Sequence, residues 1–333
     1  MKIHYFSGET WEEEYVRAKL PNESIIFHEG PLSSFPDLTD PDAEVLCTFI
    51  ESRIGEDELK RFPKLKLIAT RSTGFDHIDL TATKERDVTV ANVPFYGENT
   101  VAEFTFALLL ALSRKIIDAD KRVRDGAFSH TGLRGFDLAG KTLGVVGCGH
   151  IGMHVIKMAN GFGMKVVVFD VNRNDELGKT LGFTYATLSE LLAVSDIVTL
   201  HVPYNAHTHH LISQENISNL KRGSYIINTS RGAVVETNAL IEALKSGIIA
   251  GAALDVLEEE GELDDETSLL TSPHPNIETL RITLENHYLI EHPRVIVTPH
   301  LAFNTTEAVE RILDTTINNI KSFTSGAPTN IVS

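Results

Sequence analysis

The sequence predicts an α/β protein of two domains, each built around a parallel sheet. Short apolar strands alternate with polar, helix-like segments through most of the chain, which is the pattern of strand, helix, strand units. A glycine-rich turn joins one such strand to a helix within residues 142–170. The length of 333 residues exceeds what a single hydrophobic core usually supports, so the chain is expected to divide.

Composition and charge restrict the class of protein. Hydrophobic residues make up 42% of the chain and charges are spread throughout, as in globular proteins that live in water. The formal net charge of −16 disfavours nucleic acid and anionic membranes as partners. The most apolar run, 104–112, is far below the roughly 18 residues that span a bilayer. Two cysteines and the lack of an apolar leader favour the reducing cytoplasm.

The first part of the chain reads as strands that alternate with helices. The apolar stretches are residues 2–6, 24–28, 43–49, 65–70 and 88–93. This part contains no glycine-rich fingerprint and therefore needs another role. The loop 71–79 (RSTGFDHID) follows the fourth strand, where open α/β sheets place ligands, and Gly74 would let successive N–H groups face an anion. A plain connecting turn is the alternative.

A helix is predicted to begin at Thr100, because Thr100 and Glu103 have the spacing of a capping box. Its apolar residues cover nearly every face up to Leu112, and a helix of that kind must be buried on all sides. In a cytosolic protein this requires a domain seam or a subunit interface. We therefore expect a homodimer contact through the region following Thr100, with a helix internal to one subunit as the alternative.

The segment 142–170 has every part of a dinucleotide-binding unit. Gly147 allows the tight turn, Gly149 lets the backbone approach a pyrophosphate, and Gly152 lets the helix pack closely on the strand. The pyrophosphate would meet N–H groups at the positive end of the helix dipole. Asp170 ends the second strand, where a carboxylate binds a ribose diol and repels a 2′-phosphate. This pattern favours NAD over NADP as the cofactor.

The alternation continues after the nucleotide unit. Further strands are predicted within 195–200, 224–228, 248–254 and 295–298. Thr187 and Glu190 have capping-box spacing, residues 305–323 form an amphipathic closing helix, and the segment 258–278 is acidic and irregular. The predicted domains are 1–98 plus 299–333, and 99–298. Since the chain crosses between them twice, the closing helix should pack back on the first domain.

Three ionisable groups follow predicted strand ends, namely Arg231, Glu260 and His300. A nicotinamide cofactor supplies hydride, so the protein must add orientation, charge stabilisation and a proton. The planar fork of arginine suits the carboxylate of a 2-oxo acid, and histidine is an acid that titrates near neutrality. Glu260 would favour the charged imidazole if it bonded to His300. The acidic run around Glu260 also reads as a solvated face.

Other histidines compete for a functional role. His207, His209 and His210 cluster in a polar loop, but adjacent histidines lack a defined ligand geometry and no acid or cysteine nearby completes a set. We therefore predict no metal site. His274 lies in the irregular stretch, whereas His300 follows a buried strand, which favours His300 as the general acid.

Five ordered motifs resemble the D-isomer-specific 2-hydroxyacid dehydrogenases. They are VVGCGHIG with Asp170, LHVPYNAHTHHLI, NTSRGAVV, ALDVLEEE and VTPHLAF. The stretches VPFYGENTVAE and TPHLAFNTTEA are similar to the D-lactate dehydrogenase branch of that family. The resemblance covers nearly the whole chain. It implies two Rossmann/flavodoxin-like domains with parallel sheets separated by an active-site cleft, the catalytic domain being formed from both termini.

The same resemblance assigns the site residues. It implies that Arg231 binds the substrate, that His300 is the acid/base and that Glu260 is its partner, with Glu259 as the alternative because Gly261 stands where many members carry proline. The substrate-binding positions are the backbone donors Thr73 and Gly74, the pocket residues Tyr96 and Phe303, and Arg231. The cofactor positions are Gly147, Gly149, His150, Ile151, Gly152, Asp170, Val202, Pro203, Thr208, Thr229, Arg231, Asp255 and His300.

The resemblance implies an NAD-dependent enzyme that reduces a small 2-oxo acid, with pyruvate favoured, to the D-2-hydroxy acid. Hydride would come from NADH and the proton from His300. The alternatives are the same chemistry on glyoxylate, hydroxypyruvate, phosphoglycerate or a bulkier 2-oxo acid. An NADH-sensing interaction protein without turnover is a further alternative of a different class.

Overall fold

A computed structural model describes residues 1–263 and 276–332, and the chain divides into two compact units. The first unit joins Met1–Tyr96 to Thr305–Ser333, and the second unit is Gly97–Asn304. The sequence places the corresponding boundaries after residues 98 and 298. His274 and much of the acidic segment 258–278 lie outside the described residues.

Strands and helices alternate along the chain, as the apolar pattern predicts. The strands are β1 Lys2–Phe6, β2 Ser24–His28, β3 Val45–Thr48, β4 Leu67–Thr70, β5 Thr89–Ala91, β6 Thr142–Val146, β7 Lys165–Phe169, β8 Thr184–Tyr185, β9 Ile197–Leu200, β10 Ser224–Asn228, β11 Ile249–Leu254 and β12 Val295–Val297. The α-helices are α1 Thr10–Lys19, α2 Glu56–Lys60, α3 Leu80–Glu85, α4 Glu98–Arg114, α5 Ile116–Arg124, α6 His150–Gly161, α7 Asp175–Leu181, α8 Leu188–Val194, α9 Thr237–Ser246, α10 Ile277–Glu291 and α11 Thr306–Thr324.

The first unit contains a five-stranded parallel sheet in the order β2-β1-β3-β4-β5. This is the flavodoxin-like order, whose switch point lies between β1 and β3. Strands β3 and β4 are buried along their whole length, as expected where helices cover both faces of a parallel sheet. The closing helix α11 packs on α1 and β4 within this unit, which confirms the prediction that it returns to the first domain.

The second unit contains a seven-stranded parallel sheet in the order β12-β11-β10-β9-β6-β7-β8. The order reverses at β6, as in Rossmann folds, and such sheets bind nucleotides at the switch point beyond the strand ends. One apolar layer contains Leu240 and Leu244 of α9, and the other contains Leu109 of α4 and Ile156 of α6. Together the two sheets confirm the predicted fold class of two parallel-sheet α/β domains.

Two predicted helix starts are confirmed, one predicted from capping residues and one from an amphipathic pattern. The hydroxyl of Thr187 accepts the N–H of Glu190 at 3.3 Å, while the Glu190 carboxylate accepts the N–H of Thr187 at 2.8 Å. At the start of α11, the Thr305 hydroxyl accepts the N–H of Ala308 at 3.2 Å. These three bonds satisfy N–H groups that have no partner within the helix itself.

The predicted start of α4 at Thr100 is wrong. The helix begins at Glu98, and Thr100 lies buried inside its first turn. Glu103 accepts a hydrogen bond from the Asn99 side chain at 3.1 Å, one turn earlier, instead of capping the helix. Glu103 and Ala107 are exposed, so a single chain does not bury this helix on all sides. No helix among the described residues combines the length and apolar composition needed to cross a bilayer.

Candidate active site

The turn between β6 and α6 has the backbone geometry of a phosphate-binding turn. Gly147 adopts a φ of +97°, and a Cβ there would lie 2.5 Å from the carbonyl oxygen of His201. A Cβ on Gly152 would lie 2.1 Å from the Gly147 carbonyl oxygen, so both positions require glycine. A Cβ on Gly149 would have no described atom within 4 Å. The backbone is therefore open where α6 begins at His150, and a helix N-terminus suits an anion.

Asp170 follows β7 and lies beside this turn. Its carboxylate accepts the N–H of Cys148 and the N–H of Asn172, each at 2.7 Å. The two bonds fix the negative charge at the end of the strand, next to the glycine turn. A carboxylate at this place is suited to accept hydrogen bonds from a ribose diol.

The remaining predicted cofactor positions either follow strands of the second unit or open α6. They are Val202 and Pro203 after β9, Thr208 in the next loop, Thr229 after β10, and His150 with Ile151 in the first turn of α6. The Thr208 hydroxyl donates to the Pro203 carbonyl at 2.6 Å and folds the loop back on itself. Thr229 is 8% exposed, and its hydroxyl is 2.9 Å from that of Thr105 in α4.

His300 and Glu260 are in direct contact. The imidazole Nδ1 and the carboxylate Oε1 are 2.6 Å apart, with side chains 23% and 35% exposed respectively. Because the carboxylate engages Nδ1, it fixes the ring orientation and tautomer, and proton exchange falls to Nε2. The second oxygen of Glu260 accepts the N–H of Leu257 at 3.0 Å. The structure thus brings together the predicted acid and its predicted partner, 40 residues apart in the chain.

Asp255 holds the loop that carries His300. It is 1% exposed, and its carboxylate accepts the Thr298 hydroxyl at 2.5 Å and the N–H groups of Leu301 and Ala302 at 3.0 and 2.8 Å. Burial raises the pKa of Asp255, and these hydrogen bonds oppose the rise. His300 has a left-handed φ of +49°, and its N–H donates to the Asp255 carbonyl at 2.8 Å. These bonds fix the backbone from which the imidazole extends.

Arg231 follows β10, and the next residue packs against the segment that leads to Glu260. A Cβ on Gly232 would lie 2.0 Å from the carbonyl carbon of Leu257, so the two backbones touch there. The Arg231 guanidinium donates to the Ser230 carbonyl at 2.8 Å. The segments that carry Arg231 and Glu260 therefore lie side by side within the second unit.

The predicted donors to a substrate carboxylate, Thr73 and Gly74, belong to the first unit. The Thr73 hydroxyl donates to the Val93 carbonyl at 2.7 Å, and the Thr73 carbonyl accepts the Asn92 side chain at 2.8 Å. In the part of the chain that the structure describes, neither N–H of this pair donates to a protein acceptor. Half-buried side chains occupy the two predicted pocket positions, Tyr96 in this unit and Phe303 in the second.

Comparison with known proteins decides the family. A model of the NAD binding domain of D-isomer specific 2-hydroxyacid dehydrogenases matches residues 106–302. The 2-hydroxyacid dehydrogenase homolog 1 of Schizosaccharomyces pombe is 39% identical over 330 residues, which cover 98% of this chain and 97% of that protein. The chain belongs to the D-isomer specific 2-hydroxyacid dehydrogenase family.

Two further relatives of this dehydrogenase show the range of the family. The glyoxylate reductase of Thermococcus litoralis is 38% identical over 299 residues, covering 87% of this chain and 84% of that protein. The structure of the D-lactate dehydrogenase from Aquifex aeolicus complexed with NAD and lactic acid has a TM-score of 0.87 and 36% identity, covering 98% and 96%. The resemblance seen in the sequence is confirmed, and the dehydrogenase is an NAD-dependent enzyme.

The second unit of the dehydrogenase has groups that fit NAD. The open backbone at Gly149 suits the pyrophosphate, and the fixed carboxylate of Asp170 suits the ribose diol. Over residues 1–263 and 276–332, no group of three or more His, Cys, Asp or Glu side chains has the arrangement of a metal site.

One contact of the histidine cluster was not foreseen from the sequence. The Nε2 atom of His210 is 2.6 Å from the carboxylate of Glu258, and the ring of His209 stacks on His210 at 3.9 Å. An acid therefore lies beside His210, although among the described residues it completes no set of metal ligands. The two residues are 48 positions apart, so spacing along the chain gave no sign of the contact. The signal available was that Glu258, like Glu260, follows β11 at the sheet edge where loops meet.

Proposed function

We propose that the dehydrogenase reduces a small 2-oxo acid, with pyruvate as its main substrate, to the D-2-hydroxy acid. The 2.6 Å contact between His300 and Glu260, on a loop held by Asp255, carries this proposal. Bound NADH supplies the hydride for the substrate carbonyl carbon. The D-lactate dehydrogenase from Aquifex aeolicus, complexed with lactic acid, supports a substrate of this size.

Each proposed role follows from the chemistry of the group. His300 donates the proton from Nε2 to the carbonyl oxygen, while Glu260 keeps the charged imidazole in place. The guanidinium of Arg231 binds the substrate carboxylate, for which a planar fork is suited. The N–H groups of Thr73 and Gly74 are the backbone donors that the family resemblance assigns to the same carboxylate.

A second substrate has specific support. The relative from Thermococcus litoralis is a glyoxylate reductase, so glyoxylate is the alternative 2-oxo acid. We would measure NADH oxidation with pyruvate, glyoxylate, hydroxypyruvate, 2-oxobutyrate and phenylpyruvate and compare kcat/KM. Pyruvate should give the highest value and a product that only a D-specific enzyme re-oxidises. A higher value for glyoxylate would replace pyruvate, and no turnover with NADH still bound would support an NADH-sensing protein.

We also propose a homodimer formed through the region following Thr100. Helix α5 buries none of its residues, and Ile116, Ile117 and Phe128 are 56%, 52% and 96% exposed. A second copy would remove this apolar surface from water. Light scattering after size exclusion should give twice the chain mass for the wild type and for Leu284→Asp, a control on α10. Ile117→Asp with Phe128→Asp should give a monomer, and an unchanged mass would place the interface elsewhere.

The cytoplasmic location is part of the same proposal. It is supported by the two thiols, Cys47 and Cys148, which are both free, as is usual in a reducing compartment. Cys47 is fully buried, and burial raises the pKa of its thiol to about 12, which keeps it unreactive.

A further inference from the structure

Glu258 lies two residues before Glu260, is 8% exposed, and is bonded on three sides. Its Oε1 atom is 2.6 Å from Nε2 of His210. Its Oε2 atom accepts the hydroxyl of Thr237 at 2.8 Å and the N–H of Thr237 at 3.3 Å. Its backbone carbonyl accepts the Asn286 side chain at 2.7 Å. A polar loop, the start of α9 and the middle of α10 therefore all bind this one residue.

These bonds hold the short segment from which Glu260 reaches His300. On one side the backbone at Leu257 and Glu258 touches Gly232, where a Cβ would lie 2.0 Å from the Leu257 carbonyl carbon. Glu259 then adopts a left-handed φ of +51°, and the chain doubles back so that Glu260 accepts the Leu257 N–H at 3.0 Å. A non-glycine residue holds such a φ only where its surroundings enforce it.

We propose that Glu258 is a positioning residue for the proton transfer, acting through Glu260 to keep the His300 imidazole aligned. The inference rests on the proposed function, because it assumes that His300 is the acid. A displacement of about 1 Å at a catalytic group costs on the order of a hundredfold in rate. The contacts of Glu258 fix the backbone that leads to Glu260, and the Glu260 carboxylate remains bonded to the imidazole of His300.

The charges around Glu258 explain why it needs His210 and Thr237. Burial raises the pKa of the neighbouring Glu285, Arg281 opposes the rise, and the charges of Glu278, Glu258 and Glu236 add to it. Glu258 therefore sits in a predominantly acidic environment. Its hydrogen-bond donors on the loop and on α9 compensate for that repulsion and for its burial.

The test compares Glu258→Ala with Glu258→Gln, which keeps the shape and one acceptor. In the reduction direction, Glu258→Ala should lower kcat about tenfold to a hundredfold and change KM for NADH less than about threefold. Glu258→Gln should recover most of kcat. Glu242→Ala, which removes an exposed acid from α9, is the control and should behave as the wild type.

A pH profile separates positioning from plain support of the fold. Reduction needs a proton on Nε2 of His300, whose ring contacts Glu260, so the pH dependence of kcat reports on that imidazole. If Glu258 acts through Glu260, the pH profiles of Glu258→Ala and Glu260→Ala should be displaced from that of the wild type in the same direction. A pH profile that is not displaced in a folded Glu258→Ala would overturn the proposal.

A double-mutant cycle decides whether the effect passes through Glu260. In the Glu260→Ala background, Glu258→Ala should change kcat less than about twofold. An equal loss in both backgrounds would mean that Glu258 acts independently, which overturns the inference. If Glu258→Ala does not fold, His210→Ala removes one partner of Glu258 and must displace the pH profile in the same direction as Glu260→Ala does, by a smaller amount. Failure of the wild type to turn over any 2-oxo acid would refute the proposed function instead.

Discussion

The charged side chains that follow strands are buried in the first unit and partly exposed in the second. In the first unit, Arg71 follows β4 and is 4% exposed. Its guanidinium donates to the Glu12 carboxylate at 2.8 Å and to the Phe6 carbonyl at 2.6 Å, and the Tyr5 hydroxyl donates to the same carboxylate at 3.0 Å. Burial raises the pKa of Tyr5 and keeps its hydroxyl a donor. The opposite charges of this cluster are matched and buried.

In the second unit, the corresponding cluster is only partly covered. Asp255 is buried and holds the backbone, whereas His300 and Glu260 keep about a quarter and a third of their side chains exposed. A buried pair has lost its hydration and gains from keeping its partner, so it acts on stability. In a partly exposed pair whose backbone is fixed by a buried residue, one ring nitrogen of the histidine can still exchange a proton. The comparison predicts that substitutions in the two clusters will change different observables.

The largest effect is expected for His300→Ala. Loss of the proton donor should lower kcat by about 10²- to 10⁴-fold, while NADH binding and the unfolding temperature change little because the imidazole is not part of the core. Steady-state kinetics, NADH fluorescence titration and thermal unfolding give the three readouts. Turnover within tenfold of the wild type would show that His300 is not the acid.

Arg71→Met tests the buried cluster of Arg71, Glu12 and Tyr5 in the first unit. It leaves the Glu12 carboxylate buried without its counter-ion, so the free energy of unfolding should fall by about 3 to 5 kcal/mol. The double variant Arg71→Met with Glu12→Leu should regain much of that loss, since no buried charge is left alone. Urea unfolding measures both, with Lys64→Met as a control that breaks an exposed pair of the same unit. Stability equal to the wild type in Arg71→Met would contradict the comparison.

The partly exposed cluster of the second unit was easier to predict from the sequence than the buried cluster of the first unit. His300, Glu260 and Arg231 each follow a strand, and the carboxyl ends of parallel strands share one edge, so their neighbourhood is implied by the pattern of strands alone. The pair of Arg71 and Glu12 is formed between a strand end and a helix 59 residues earlier. No local pattern in the sequence marks such a pair.

Two further features escaped prediction and one prediction failed, each for a physical reason. Helix α10 carries apolar residues that face the solvent, with Ile277 and Leu284 82% and 70% exposed, so the helical period of its apolar pattern is blurred. The contact of His210 with Glu258 depends on where two loops meet, which periodicity does not specify. The prediction at Thr100 failed because two residues at capping-box spacing also occur inside a helix, where Asn99 binds Glu103.

Asp170 is a further charged residue after a strand of the second unit, and it lies beside the glycine turn that suits the nucleotide. Asp170→Ala should raise kcat/KM with NADPH relative to NADH by about tenfold, because a carboxylate repels a 2′-phosphate. Asp170→Asn keeps an acceptor for one of the two backbone N–H groups while removing the charge, so it separates repulsion from loop geometry. Stability should change little in either variant. An unchanged cofactor ratio in both would remove the role of Asp170 in choosing NAD.

The smallest effect is expected at Asp40, a buried carboxylate of the first unit. Burial alone raises its pKa, but the hydrogen bonds from Lys2 at 2.5 Å and His4 at 2.8 Å outweigh burial and hold the pKa far below its ordinary value. A carboxyl group whose folded pKa is lowered contributes stability above its unfolded pKa, near about 4, and loses it as pH falls toward the folded value.

Wild type and Asp40→Asn should therefore differ in unfolding free energy by a constant amount above about pH 5, and the difference should shrink below about pH 4. Asp37→Asn, at an exposed position of the same unit, is the matched control and should show no such pH dependence. Turnover per folded molecule should be the same in all three proteins, because the charge of Asp40 acts on stability. A loss of kcat in Asp40→Asn at neutral pH would mean that buried charges of the first unit also contribute to catalysis.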